Sequence, residues 1–209
     1  MVSLKYLGGT LLVAFVLWWL MFSPLSAPGL GFWPLTSLSA FLLTALASLR
    51  ASPPWWRRLH VSPLNVLLGV GLAVGLWLVF WVGDAVSATL FPFAPAQIHA
   101  IYEIKESLSP WALSCLLIFF IGPAEEIFWR GFVQEQFSLR FGPNAGLLIA
   151  TALYALVHVA SGNFMLIMAA LVAGGMWGLC YRFWPQRFSA IVVSHALWDA
   201  AVFIWFPIR

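Results

Sequence analysis

Charge is scarce in this sequence: Lys and Arg number 10 and Asp and Glu 7 among 209 residues, so charged side chains make up 8% of the chain. A soluble domain carries about 25%. So few charges cannot cover a water-facing surface, the more so with 13 Trp and 18 Phe to hide. An ordinary soluble fold is excluded. Cysteine is nearly absent as well, and Cys115 and Cys180 both sit inside apolar runs, which suggests no disulfide framework. There is no HExxH zinc-protease motif, no GxSxG nucleophile elbow and no glycine-rich phosphate loop. The net charge of +3 is no nucleic-acid signal, because in an apolar chain the location of positive charge matters more than its sum. No nucleic-acid partner is expected.

Hydrophobic residues, in contrast, make up 63% of the chain. Apolar runs near 7–22, 33–49, 64–91, 110–137, 144–160, 164–181 and 187–206 are separated by Pro, Gly or charged residues, and each is close to the ~20 residues that a crossing helix needs. They predict an all-α, polytopic membrane bundle of about seven transmembrane helices, with residues 1–209 as a single domain in a lipid bilayer. Lys5 and the run after it also resemble a signal peptide, with Ser26-Ala27 as a strained cleavage site, but a second run follows at once, which favours a retained first helix. Lys5, then Arg50, Arg57 and Arg58, then Arg140, then Arg182 and Arg187 fall on alternate turns of the chain. The other turns hold Lys105, offset by Glu103 and Glu106, and Arg209. This bias predicts an N-in, C-out topology. Small residues four apart, Gly71 with Gly75 and Ala170 with Gly174 and Gly178, predict close helix contacts. Trp33, Trp55, Trp56 and Trp184 near the span ends suit an interfacial belt.

Charges inside a bilayer cost at least a few kcal/mol each, so those within apolar runs mark candidate chemistry. They are Asp84, Glu125, Glu126, Arg130, His158, His195 and Asp199. In Pro123-Ala-Glu125-Glu126-Ile-Phe-Trp-Arg130, Glu126 and Arg130 share a helix face while Glu125 is turned about 100° away. One carboxylate is neutralised and the other stays available. His158, in Tyr154-Ala-Leu-Val-His158, has only apolar neighbours and needs a partner from another helix. His195 and Asp199 are four apart and point the same way. Asp84 reads as a structural residue near the outer end of its span, and His60 and His99 as solvated residues of connecting segments.

Counted from the cytoplasmic span ends at ~1.5 Å per residue, Glu125, His158, His195 and Asp199 lie roughly 18, 21, 12 and 18 Å deep, compatible with one layer. A Glu, two His and an Asp in a low-dielectric site suit water activation and oxyanion stabilisation, hence hydrolysis. The same four, Glu125, His158, His195 and Asp199, are also the alternative donor set for a zinc ion. Metal-independent catalysis without a cofactor is the leading expectation.

Together the three segments resemble the CAAX-protease and bacteriocin-processing (Abi, Rce1-like) family of intramembrane glutamate-dependent proteases, whose signatures are EExxxR, FxxxH and HxxxN. Here they read Glu125-Glu126-Ile-Phe-Trp-Arg130, Tyr154-Ala-Leu-Val-His158 and His195-Ala-Leu-Trp-Asp199. The resemblance covers roughly residues 110–206, the family's catalytic core. It implies that Glu125 and His158 activate water, that His195 and Asp199 form the oxyanion site, and that Glu126 and Arg130 support them. Tyr154 departs mildly from Phe. Asp199 departs more seriously from Asn, because an ionised Asp repels an oxyanion unless it orients a protonated His195 or is kept neutral. The implied activity is cleavage of a membrane-anchored protein or peptide, near a C-terminal anchor or lipidated end, in the bacterial inner membrane. The rivals are a non-catalytic immunity or scaffold protein of the same fold, and a small proton-coupled transporter using Asp84, Glu125 and the histidines.

Overall fold

Ser-Pro, Gly-Pro and Asn signals punctuate the chain where its helices begin and end. A computed structural model describes residues 1–26, 29, 31–50, 54–104 and 108–208. Ala27, Lys105, Glu106 and Arg209, on which parts of the cleavage-site and topology readings rest, lie outside the described residues. Helix α1 (Leu4–Phe22) starts at Ser3, whose side chain accepts the Tyr6 N–H, and α2 (Phe32–Arg50) follows. Ser62 caps α3 (Pro63–Leu90) in the same way, with Pro63 in its first turn. After the short α4 (Ala94–Glu103), Ser109 and Pro110 open the long α5 (Pro110–Phe141). A proline at the first helical position costs no hydrogen bond, and a Ser or Asn cap satisfies an orphan N–H. Gly142 then ends α5 at φ +86°, where a side chain is strained, and Pro143 opens α6 (Pro143–Ser161). Asn163 caps α7 (Phe164–Phe183), and α8 (Pro185–Trp205) completes the bundle.

All of these except α4 are long and apolar enough to cross a membrane, seven in number, and no strand occurs among the described residues. The chain is a helical integral membrane protein. Its outer surface carries large apolar side chains such as Leu67, Val74 and Trp81 on α3, a surface that lipid tails solvate as readily as another helix does. The segment between α3 and α5 was expected to be a plain connection; it contains α4, whose short amphipathic run lies below the length of a span.

Helix α5 is the central element. Two wider π-helical turns, Leu117–Ile121 and Trp129–Gln134, bracket the α-helical Gly122–Phe128 that carries Glu125 and Glu126. Such turns insert a residue and re-aim the side chains that follow. One apolar cluster packs α5 against α1, α2 and α6, and a second joins α3, α7 and α8. At Gly122 the backbones of α5 and α8 nearly touch, so that a Cβ there would lie 2.8 Å from Ala196 Cα. The predicted stripe on α7 makes close contacts, Gly174 against Tyr154 and Gly178 against Leu147. The stripe predicted on α3 is displaced: a Cβ at Gly71 meets nothing within 4 Å, whereas at Gly69 it would lie 2.8 Å from the Ala190 carbonyl. Four-residue spacing names a face but not which of two faces meets protein.

The bundle's two ends differ in chemistry. At one, Arg140 donates to Val2 O and Gln136, Arg182 to Asn144 Oδ1 at 2.9 Å, and Arg187 to Asn65 Oδ1 at 3.2 Å. Arg58 is drawn inward there, donating to Gly131 O and the Tyr181 hydroxyl. Burial lowers its pKa, with Glu135 opposing. At the other end Asn163 donates to Gln97 O at 2.7 Å, and Trp33, expected in an interfacial belt, is instead buried and donates to Ile104 O at 3.1 Å. Trp56 and Trp184 are exposed.

Candidate active site

Glu125 and Glu126 are neighbours in sequence with opposite surroundings. Glu126 is wholly buried, and its Oε1 accepts from Arg130 Nη1 and from His195 Nδ1, both at 2.7 Å. The Arg130 pairing follows from the helical repeat; the His195 contact does not, and depends on the close crossing at Gly122. Arg130 also donates to Gly174 O at 3.0 Å and lies between the rings of Tyr154 and Trp177, at 4.9 and 5.4 Å from their centroids. The second oxygen of Glu126 has no hydrogen-bond partner among the described residues.

His195 is held on three sides. Trp177 stacks on it at 3.9 Å with an interplanar angle of 14°, and is itself fixed by donating to Ser194 Oγ at 3.1 Å. Its Nε2 faces Asp199 Oδ2 at 3.4 Å. Both ring nitrogens therefore point at carboxylate oxygens, an arrangement satisfied by an N–H on each. Arg130 and His195 thus face Glu126 and Asp199, and this pairing limits the cost of burying four ionisable groups.

Glu125 is half-buried and takes no part in that network; its Oε2 accepts from the Tyr154 hydroxyl at 2.9 Å. The Tyr-for-Phe departure thus adds a hydrogen bond to the carboxylate that stays available. His158 lies one turn beyond. Its Nδ1 is 2.7 Å from the Tyr154 carbonyl, which can only accept, so the proton sits on Nδ1 and Nε2 carries the lone pair. Trp18 Nε1 approaches that lone pair from α1 at 3.3 Å. The expectation that the His158 partner comes from another helix is met at one nitrogen and corrected at the other, where the partner is its own helix's backbone. Phe22 and Tyr154 complete the aromatic wall around it.

Glu125, Tyr154, His158, His195 and Asp199 all line one cavity of about 440 Å³, otherwise walled mostly by aliphatic and aromatic side chains. Asp84 lines the same cavity from the end of α3, and its carbonyl accepts from Ser87 Oγ. His60 and His99 are exposed, the latter 3.4 Å from Glu103 on α4. Tyr154, Trp18 and Trp177 are the site side chains that motif reasoning missed as participants; Tyr154 was legible only as a deviation. Among the described residues no three His, Cys, Asp or Glu are disposed to hold a metal ion. His158 Nε2 is turned to Trp18 and His195 Nδ1 to Glu126.

The fold and site define a polytopic helical membrane protein with acid–base groups gathered in a buried, largely apolar cavity. Residues 107–201, which carry Glu125, His158, His195 and Asp199, match the family described as Type II CAAX prenyl endopeptidase Rce1-like. That family is one of proteases, which supports peptidase activity in general. No curated protein and no solved structure matches the chain.

Proposed function

We propose that the protein is an intramembrane endopeptidase that hydrolyses a peptide bond of a membrane-anchored protein or peptide, with its chemistry in the bacterial cell membrane. One observation carries the reading: of two adjacent carboxylates, Glu126 is consumed by Arg130 and His195, while Glu125 faces the cavity beside His158. Glu125 takes a proton from water as the oxygen attacks the scissile carbonyl carbon, and His158, whose Nε2 exchanges its 3.3 Å contact with Trp18 for the water, holds that water in line. The His195 Nε2–H, 3.4 Å from Asp199 Oδ2, is shared with the oxygen that becomes negative. Asp199 acts by orienting the imidazole rather than by touching the oxyanion, which answers the charge objection to an Asp at that position. The proton on Glu125 then passes to the leaving nitrogen, the C–N bond breaks, and an amine and a carboxylate remain. No metal enters these steps.

The test compares membrane proteomes of cells carrying wild-type protein and Glu125→Gln. A substrate whose new terminus appears with wild type and vanishes with the variant is expected. Intact wild-type function in Glu125→Gln sinks the peptidase reading and favours a non-catalytic partner.

A further inference from the structure

The cavity is not centred in the bundle. It is bounded by the C-terminal half of α3 from Val79, the first half of α5 as far as Glu125, the end of α6 and the start of α7. It also takes in Phe22 at the end of α1, Phe32 at the start of α2, and α8 from His195 onward. In the spanning helices other than α7, whose lining runs from Phe164 as far as Trp177, the lining lies toward one end, and α4 sits at that end with Ile98 and Tyr102 on the cavity wall.

Among the described residues, the Lys and Arg outside the site lie at the other end. Lys5 opens α1, Arg50 closes α2, Arg57 and Arg58 precede α3, Arg140 closes α5, Arg182 closes α7 and Arg187 opens α8. Cross-links in space confirm that these positions share one face, Arg140 reaching Val2, Arg182 reaching Asn144 and Arg187 reaching Asn65. The cavity end is tied together by neutral contacts instead, such as Asn163 to Gln97 and Ile208 N to the Tyr102 hydroxyl at 3.3 Å. Lys and Arg in short connections are retained on the cytoplasmic side.

We infer that the catalytic cavity opens on the non-cytoplasmic face of the membrane, so that its substrate is an exported, membrane-anchored polypeptide with apolar residues around the scissile bond, presented from the outer side. The substrate half of this statement rests on the peptidase reading; the orientation does not. Apolar residues are expected because Glu125, His158, His195 and Asp199 are set among aliphatic and aromatic walls, where a charged flanking residue would lose its hydration. A tail made and modified in the cytoplasm meets only the basic end, where Arg58 spans from α5 to α7 by its bonds to Gly131 O and Tyr181.

The test uses single cysteines in a chain with Cys115 and Cys180 replaced by Ala, expressed in bacterial spheroplasts and treated with a membrane-impermeant maleimide. His99→Cys and Ala96→Cys report the cavity end, and Asn144→Cys and Gln186→Cys the basic end; all four positions are exposed. Labelling of the first pair in intact spheroplasts, and of the second pair only after lysis, is expected. The reverse pattern overturns the inference whether or not the protein is a peptidase. Substrates whose processing is lost in Glu125→Gln should be cut on the outer side of their own anchor. Cytoplasmic cut sites overturn the substrate assignment while leaving the peptidase reading intact, and unchanged processing in Glu125→Gln removes the substrate half and leaves the labelling to decide orientation.

Discussion

Replacing each of the two adjacent glutamates by Gln separates structure from chemistry, because the two side chains differ in what they hold. Glu126→Gln removes the charge that faces both Arg130 and His195 at 2.7 Å in a site with 0% exposure. Breaking one partner of a buried pair costs about 3–5 kcal/mol. The lower end applies, since Arg130 keeps the Gly174 carbonyl and two aromatic faces. At about 2–4 °C per kcal/mol for a chain of this size, a loss of about 3 kcal/mol lowers the melting point by about 6–12 °C. Glu125→Gln keeps an amide oxygen to accept from Tyr154 and sits at the cavity wall, so its stability stays within about 1 kcal/mol of wild type. Its peptidase activity falls by about 10²-fold or more, as removal of a positioned general base requires. Tryptophan fluorescence during heating in detergent reads the first effect, and appearance of substrate termini reads the second. Equal melting points for wild type and Glu126→Gln, or an equal loss in both variants, would refute the division of labour.

Gly122→Ala places a methyl 2.8 Å from the Ala196 backbone, where neither atom can move aside; a loss of about 1–3 kcal/mol is expected, with Gly71→Ala near wild type as the control, read by the same melting experiment. Tyr154→Phe deletes the hydroxyl that donates to Glu125, and should leave the fold intact at a cost of about 1 kcal/mol while lowering peptidase activity severalfold; unchanged activity would show that the contact has no catalytic part. Asp199→Asn keeps the geometry toward His195 but removes a charge from the balanced set, so activity should fall yet remain measurable, and complete loss would point to a more direct role. Peptidase activity should survive a strong chelator, since His158 Nε2 and His195 Nδ1 face Trp18 and Glu126; abolition by the chelator with rescue by zinc would overturn the metal-free scheme.

Much of the bundle was legible because its signals are local. Apolar runs of crossing length, Ser62-Pro63, Ser109-Pro110 and Gly142-Pro143 marked the helices to within a few residues, and α4 escaped, being too short and too mixed to stand out. The ionisable residues were legible because a charge in an apolar run is rare. The Glu126–Arg130 and His195–Asp199 pairs followed from the helical repeat, but Glu126–His195, Tyr154–Glu125 and Trp18–His158 join residues 69, 29 and 140 apart and left no local mark.

Sequence alone determined that this chain crosses a membrane on apolar helices, that seven ionisable residues are embedded in those helices, and which of them share a face, because burial cost and helical periodicity act over a few residues. The helical repeat already set Arg130 on Glu126; only the tertiary structure decided that His195 joins it there and that Tyr154 reaches Glu125 instead. That choice rests on where helices cross: Gly122 brings α5 against α8 and sets His195 on Glu126, and Gly174 brings α7 against Tyr154, whose hydroxyl reaches Glu125. Close approach of backbones is a property of pairs of helices, and no single stretch of sequence contains it.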